Sequence, residues 1–95
     1  MKSIHSILPL SDYRYLCNGF SESLIMVDLK MNTASVYAKK FKGKYSQCLV
    51  PFPGFDEETF PLVLIKEWEH VVIFNIKTKE YINIRKLVNS AELEN

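Results

Sequence analysis

Apolar residues in this chain come in short runs separated by turn residues, and the order of the runs occurs twice. Ile4 to Leu8 ends at Pro9 and Ser11-Asp12, and Arg14 to Asn18 ends at Gly19. Leu24 to Val27 is apolar throughout and closes at Asp28, while Thr33 to Ala38 alternates apolar with polar. The second half follows with Cys48 to Phe52, Leu62 to Ile65, Val71 to Phe74 and Tyr81 to Ile84. Cys48-Leu49-Val50-Pro51-Phe52 matches Ser6-Ile7-Leu8-Pro9-Leu10 at an offset of 42, and the later runs match at 47. A five-residue insertion in the Pro53–Phe60 connection accounts for the difference, since surface loops tolerate added length. Self-similarity at a period in the 40s predicts a repeat architecture, with each half unable to bury its apolar surface alone.

Runs of about five residues with turn signals between them predict strands. The continuously apolar runs predict strands covered on both faces, and the alternating ones predict strands with one wet face. That gradation fits small four-stranded sheets packed face to face, where one barrel or sandwich would alternate in most strands. The expected fold is all-β, two consecutive four-stranded antiparallel β-propeller-type blades. The first blade-like repeat spans residues 4–38 and the second 46–84, within a single domain of 95 residues. Residues 85–95 form a C-terminal tail or short helix. Apolar positions 84, 87, 88 and 91 have helical spacing, so the segment either caps the last open sheet or frays.

These residues resemble WD40 repeats. The order Ile4-His5-Ser6-Ile7-Leu8, Leu10-Ser11-Asp12, Arg14 to Gly19, Leu24-Ile25-Met26-Val27-Asp28 follows the strands and turns of such a repeat. Val72-Ile73-Phe74-Asn75-Ile76-Lys77-Thr78 stands where the family's Trp-Asp-Leu-Lys-Thr stretch falls. The Gly-His pair is missing from both halves, Val27 and Phe74 occupy the Trp position, and Asn75 replaces the second Asp. Kelch-type blades are the nearby alternative, but their paired glycines are absent, with only Gly19 present. The resemblance implies a propeller scaffold that presents loops to a protein partner. Closed propellers have about four to eight blades, so two blades leave two open apolar faces. Three arrangements would cover them: a longer propeller of which this is a piece, several copies closing a ring, or docking on an incomplete propeller in another protein.

Composition narrows the function classes. The apolar fraction of 47% and charged fraction of 24% are those of an ordinary globular domain. A net charge of +1 provides no global field toward nucleic acid or an anionic membrane. No run approaches the ~20 apolar residues of a membrane span, and the N-terminus lacks the pattern of a signal peptide. Cys17 and Cys48 lie far apart within apolar runs and read as reduced, buried thiols. The expected compartment is the cytoplasm, with the nucleus as the other candidate.

Candidate chemistry is sparse. His5 and His70 with the two cysteines have no metal-ligand spacing, so no metal or cofactor is expected. Neither cysteine has the setting of a nucleophile, and the expectation is that the chain is not an enzyme. Lys39-Lys40-Phe41-Lys42-Gly43-Lys44-Tyr45 combines basic and aromatic residues that could contact phosphates and stack on bases. Its other reading is a solvated link between the repeats, favoured because the charge does not extend over the rest of the chain. Phe55, in the Pro53–Phe60 loop, and Trp68, between Glu67 and Glu69, are candidate aromatic anchors for a protein partner. Packing over the sheet is the alternative for Trp68. The candidate partner-binding residues are therefore Phe55, Trp68, Lys39, Lys40, Lys42 and Lys44. The leading expectation is a non-catalytic interaction module, the alternative a small nucleic-acid-binding β domain using Lys39–Tyr45.

Overall fold

The structure, a computed structural model, describes residues 3–39, 46–67 and 71–93. Eight strands and one helix follow in order: β1 (Ile4–Pro9), β2 (Arg14–Gly19), β3 (Ser23–Asp28), β4 (Thr33–Lys39), β5 (Ser46–Pro51), β6 (Leu62–Glu67), β7 (Val71–Asn75), β8 (Tyr81–Asn83) and α1 (Ile84–Leu93). The fold is all-β apart from that helix. Strands β1–β4 form one four-stranded antiparallel sheet and β5–β8 another, each in the order of the chain.

Turn chemistry places the hairpins. Asp12 and Tyr13 both have positive φ, 61° and 60°, the backbone of a primed turn whose twist matches its flanking strands. Asp28 closes β3 by accepting the Met31 N–H on its carboxylate at 2.9 Å. Asn75 closes β7 by accepting the N–H groups of Lys77 (2.9 Å) and Thr78 (3.0 Å). An acid and an amide are interchangeable here because only a side-chain oxygen is needed. Left-handed residues follow each of them, Asn32 (φ 54°) and Lys79 (φ 67°), 47 positions apart. The backbone bonds are duplicated too. Leu10 N–H donates to Arg14 C=O as Phe52 N–H does to Leu62 C=O, and Leu29 to Tyr13 as Ile76 to Pro61.

The strand register corrects the spacing of the repeat. Ile7 pairs with Cys17 and Leu49 with Ile65, so β5 stands 42 positions after β1 but β6 stands 48 after β2. Cys17 pairs with Ile25 and Ile65 with Val72, which puts β7 47 positions after β3. The bulge between Ile4 and Ser6 recurs between Ser46 and Cys48. Arg14 therefore corresponds to Leu62, where sequence matching alone aligned it with Pro61. A one-residue slip exchanges the two faces of a strand.

One core lies between the sheets. Leu8, Leu16 and Leu24 come from the first, and Leu49, Val63, Ile65, Phe74 and Ile76 from the second. Each fully buried side chain of this size contributes about 1.5–3 kcal/mol. β1 and β2 lie closest to β5, so the sheets approach at their first strands. Polar links cross the gap: the Tyr37 hydroxyl donates to the Ile76 carbonyl, and Arg14 and Ser11 both bond to Glu57.

Each sheet packs one face against the other sheet. The two-sided apolar pattern of the inner strands is satisfied inward, and outward it leaves Ile7, Val36, Val50 and Ile82 about half exposed. The helix forms, with the Asn83 side chain accepting the Arg85 N–H at 3.0 Å as an N-cap. It lies against β7, yet Leu87 and Val88 remain about half exposed. Its apolar stripe is thus only partly used, and the second sheet is left largely open.

Candidate interaction surface

Strand periodicity puts Ile7, Tyr15, Cys17, Ile25 and Val27 on the side of the first sheet facing away from the core. Ile4, Ile7, Tyr15, Cys17, Val27 and Leu29 line an apolar hollow of about 350 Å3 on that face. Ile4, Ile7 and Leu29 are each more than half exposed, which is costly in water without a covering partner. A smaller hollow of about 220 Å3 opens on the outer side of the second sheet, with Leu62, Ile73 and Ile82 as its apolar part and Asn75, Thr78 and Glu80 along its polar edge. The molecule thus has an apolar surface at each end of its two-sheet stack.

The rim of the stack is polar and tied together. Glu57 accepts hydrogen bonds from the Ser11 backbone N–H (3.1 Å) and hydroxyl (2.6 Å) and pairs with Arg14, which also donates to Ser11 Oγ at 3.2 Å. Burial pushes the Glu57 carboxyl up, but the Ser11 hydrogen bonds and the Arg14 charge outweigh it and hold the group below its ordinary value. Asp56 caps its own loop by accepting from Glu58 and Thr59 N–H, both at 2.9 Å, and these bonds lower its carboxyl. At the β1–β2 turn Lys30 meets Asp12 at 2.7 Å in an exposed pair.

Of the residues picked out in the sequence, Phe55 is half-buried and packs against the core, with its N–H donating to Phe52 C=O at 2.9 Å. Its ring is engaged within the molecule. Lys39 is exposed at the end of β4. Lys40, Lys42, Lys44 and Trp68 lie outside the described residues, as does His70. Of the six candidates the structure thus describes Phe55 and Lys39, one packed against the core and one exposed. Cys17 is buried and its thiol is pushed up by burial, the state of an inert thiol. Among the described residues no group of His, Cys, Asp and Glu side chains could hold a metal ion. No helix there is long and apolar enough to cross a membrane.

Two features escaped the sequence reading. The outer-face residues sit in runs that carry apolar residues on both faces, which signalled two-sided burial but not which side stays open. The Ser11–Arg14–Glu57 network links positions 43 and 46 residues apart and has no local signature. Comparison with known proteins finds no matching family model, no matching curated protein and no matching solved structure.

Proposed function

We propose that this chain is a non-catalytic protein–protein interaction module, a pair of WD40-like blades whose working surfaces are the outer faces of its sheets. The hollow formed by Ile4, Ile7, Tyr15, Cys17, Val27 and Leu29 carries this reading, because an isolated domain gains nothing by holding such apolar side chains in water. Duplicated turn caps and backbone bonds support the blade assignment. They belong to a framework that repeats its geometry and lets the residues drift. Rigid β scaffolds of this kind host many functions, and here the side chains offer burial in place of chemistry.

Affinity capture with the wild-type chain and with Tyr15→Lys on matched supports tests the reading. A protein retained by the wild type and lost by the folded variant is expected. Equal retention by both, or substrate turnover by the purified chain, would refute it.

A further inference from the structure

The two exposed faces are related to the two buried ones. By strand register, Ile7, Tyr15, Cys17, Val27 and Leu29 correspond to Leu49, Val63, Ile65, Phe74 and Ile76. The first set lines the outer hollow of the first sheet, and the second set is what the second sheet contributes, among the described residues, to the core cluster between the sheets. The converse holds as well. Leu8, Leu16 and Met26, packed inward on the first sheet, correspond to Val50, Leu64 and Ile73, which face outward on the second. The sheets are therefore stacked in the same orientation, front of one against back of the next. Each end of the stack displays one half of the interface already formed in its middle.

We infer that a second copy of this chain docks head-to-tail, seating the outer face of its first sheet on the outer face of the second sheet. This deepens the interaction-module reading and rests on it. The existing interface supplies the template: Leu8 and Leu49 share the core on adjoining strands β1 and β5. Their counterparts across the new contact are Val50 of one copy and Ile7 of the next. Both are about half exposed in the single chain and apolar, as the template requires. Lys66, exposed in the single chain, stands where the first sheet has the fully buried Asn18, so docking has to lead its stem along the new contact with the ammonium kept in water. An interface of two different patches propagates, and it closes into a ring when the rotation per unit allows. Rings of about four to eight sheets correspond to two to four chains. Homotypic pairing of like faces lacks this template, because inside the molecule a front meets a back.

Sedimentation velocity on the wild type and two face variants tests the docking. Ile7→Lys charges only the outer face of the first sheet, and Val50→Lys only that of the second. The wild type is expected as an assembly of two to four chains. Each variant alone is expected as a single chain with a retained β-sheet circular dichroism spectrum. An equimolar mixture of the two is expected to form a dimer, because each variant keeps the face the other lacks. A folded wild type that stays a single chain at every attainable concentration would overturn the docking, and so would a mixture that forms no dimer. One variant remaining assembled by itself would also overturn it, since that marks pairing of like faces. Leu29→Glu and Ile82→Glu form a second, independent pair at exposed positions on the same two faces, should a lysine variant fail to fold. If assembly fails while face-dependent capture of another protein persists, the module reading stands and only self-docking falls.

Discussion

Arg14 on β2 and Glu57 in the loop before β6 form an ion pair that joins the two sheets at their rim. Both side chains are largely shielded, and Ser11 completes the carboxylate's hydrogen bonding. Glu57 lies in the extra length that distinguishes the second half from the first. The insertion is therefore a strap from one sheet to the turn of the other.

Loss of that strap is expected to be measurable. Glu57→Gln removes the charge and should cost about 1 kcal/mol, read as a lower midpoint in urea at neutral pH. The carboxyl is held below its ordinary value in the folded chain, so its contribution is present above the unfolded-state value. It is lost as pH falls through the folded-state value. Wild type and Glu57→Gln should accordingly converge in stability on acidification, and parallel pH profiles would show that the pair is energetically idle.

Asn18 is fully buried on β2, and among the described residues neither its amide nitrogen nor its oxygen has a hydrogen-bond partner; the same holds for the hydroxyl of its cross-strand neighbour Ser6. An unsatisfied buried amide costs about 1–3 kcal/mol. Asn18→Leu, close in volume and flanked by an apolar core, should raise the melting temperature. A drop would mean that the amide is bridged to Ser6 through water.

Gly19 has a specific steric reason. A Cβ built there would sit 1.9 Å from the Ser3 carbonyl oxygen, a backbone atom that cannot swing aside. Phe20 N–H donates to that same carbonyl at 3.1 Å, which holds the strand close. Gly19→Ala should destabilise by about 1–3 kcal/mol and raise amide exchange in the first residues of β1. Unchanged exchange there would show that the close approach is dispensable.

The turn caps predict which substitutions the repeat tolerates. Asn75→Asp keeps the accepting oxygen and should be near neutral. Asn75→Ala leaves the Lys77 and Thr78 N–H groups without their acceptor and should cost about 1 kcal/mol in thermal denaturation. The parallel pair Asp28→Asn and Asp28→Ala should behave alike, with a smaller loss because one N–H, that of Met31, is involved.

Strand positions were legible because Pro9, Gly19, Asp28 and Asn75 punctuate the apolar runs, and the repeat was legible from their order. Facing was harder. Arg14 aligns with Pro61 or Leu62 almost equally well by residue type, and only pairing geometry decides, yet the choice assigns every side chain of β2 to one face or the other. The helix was foreseen from its periodicity, but covering the open sheet needs a particular docking angle. Spacing carries no such angle, and Leu87 and Val88 stay half exposed. Phe55 reads as a loop aromatic in sequence, and burial against the core follows from the path of the insertion, which has no counterpart in the first half.

Meander connectivity also sets an order of events in time. Every strand pairs with its immediate neighbour in the chain, so each sheet closes only short loops and carries a small entropic barrier. Contacts between sheets close far longer loops, 43 residues for Arg14 with Glu57 and 39 for Tyr37 with Ile76. The two meanders are thus expected to zip independently and early, and the rate of reaching the native state is then the rate at which one finished sheet finds the other.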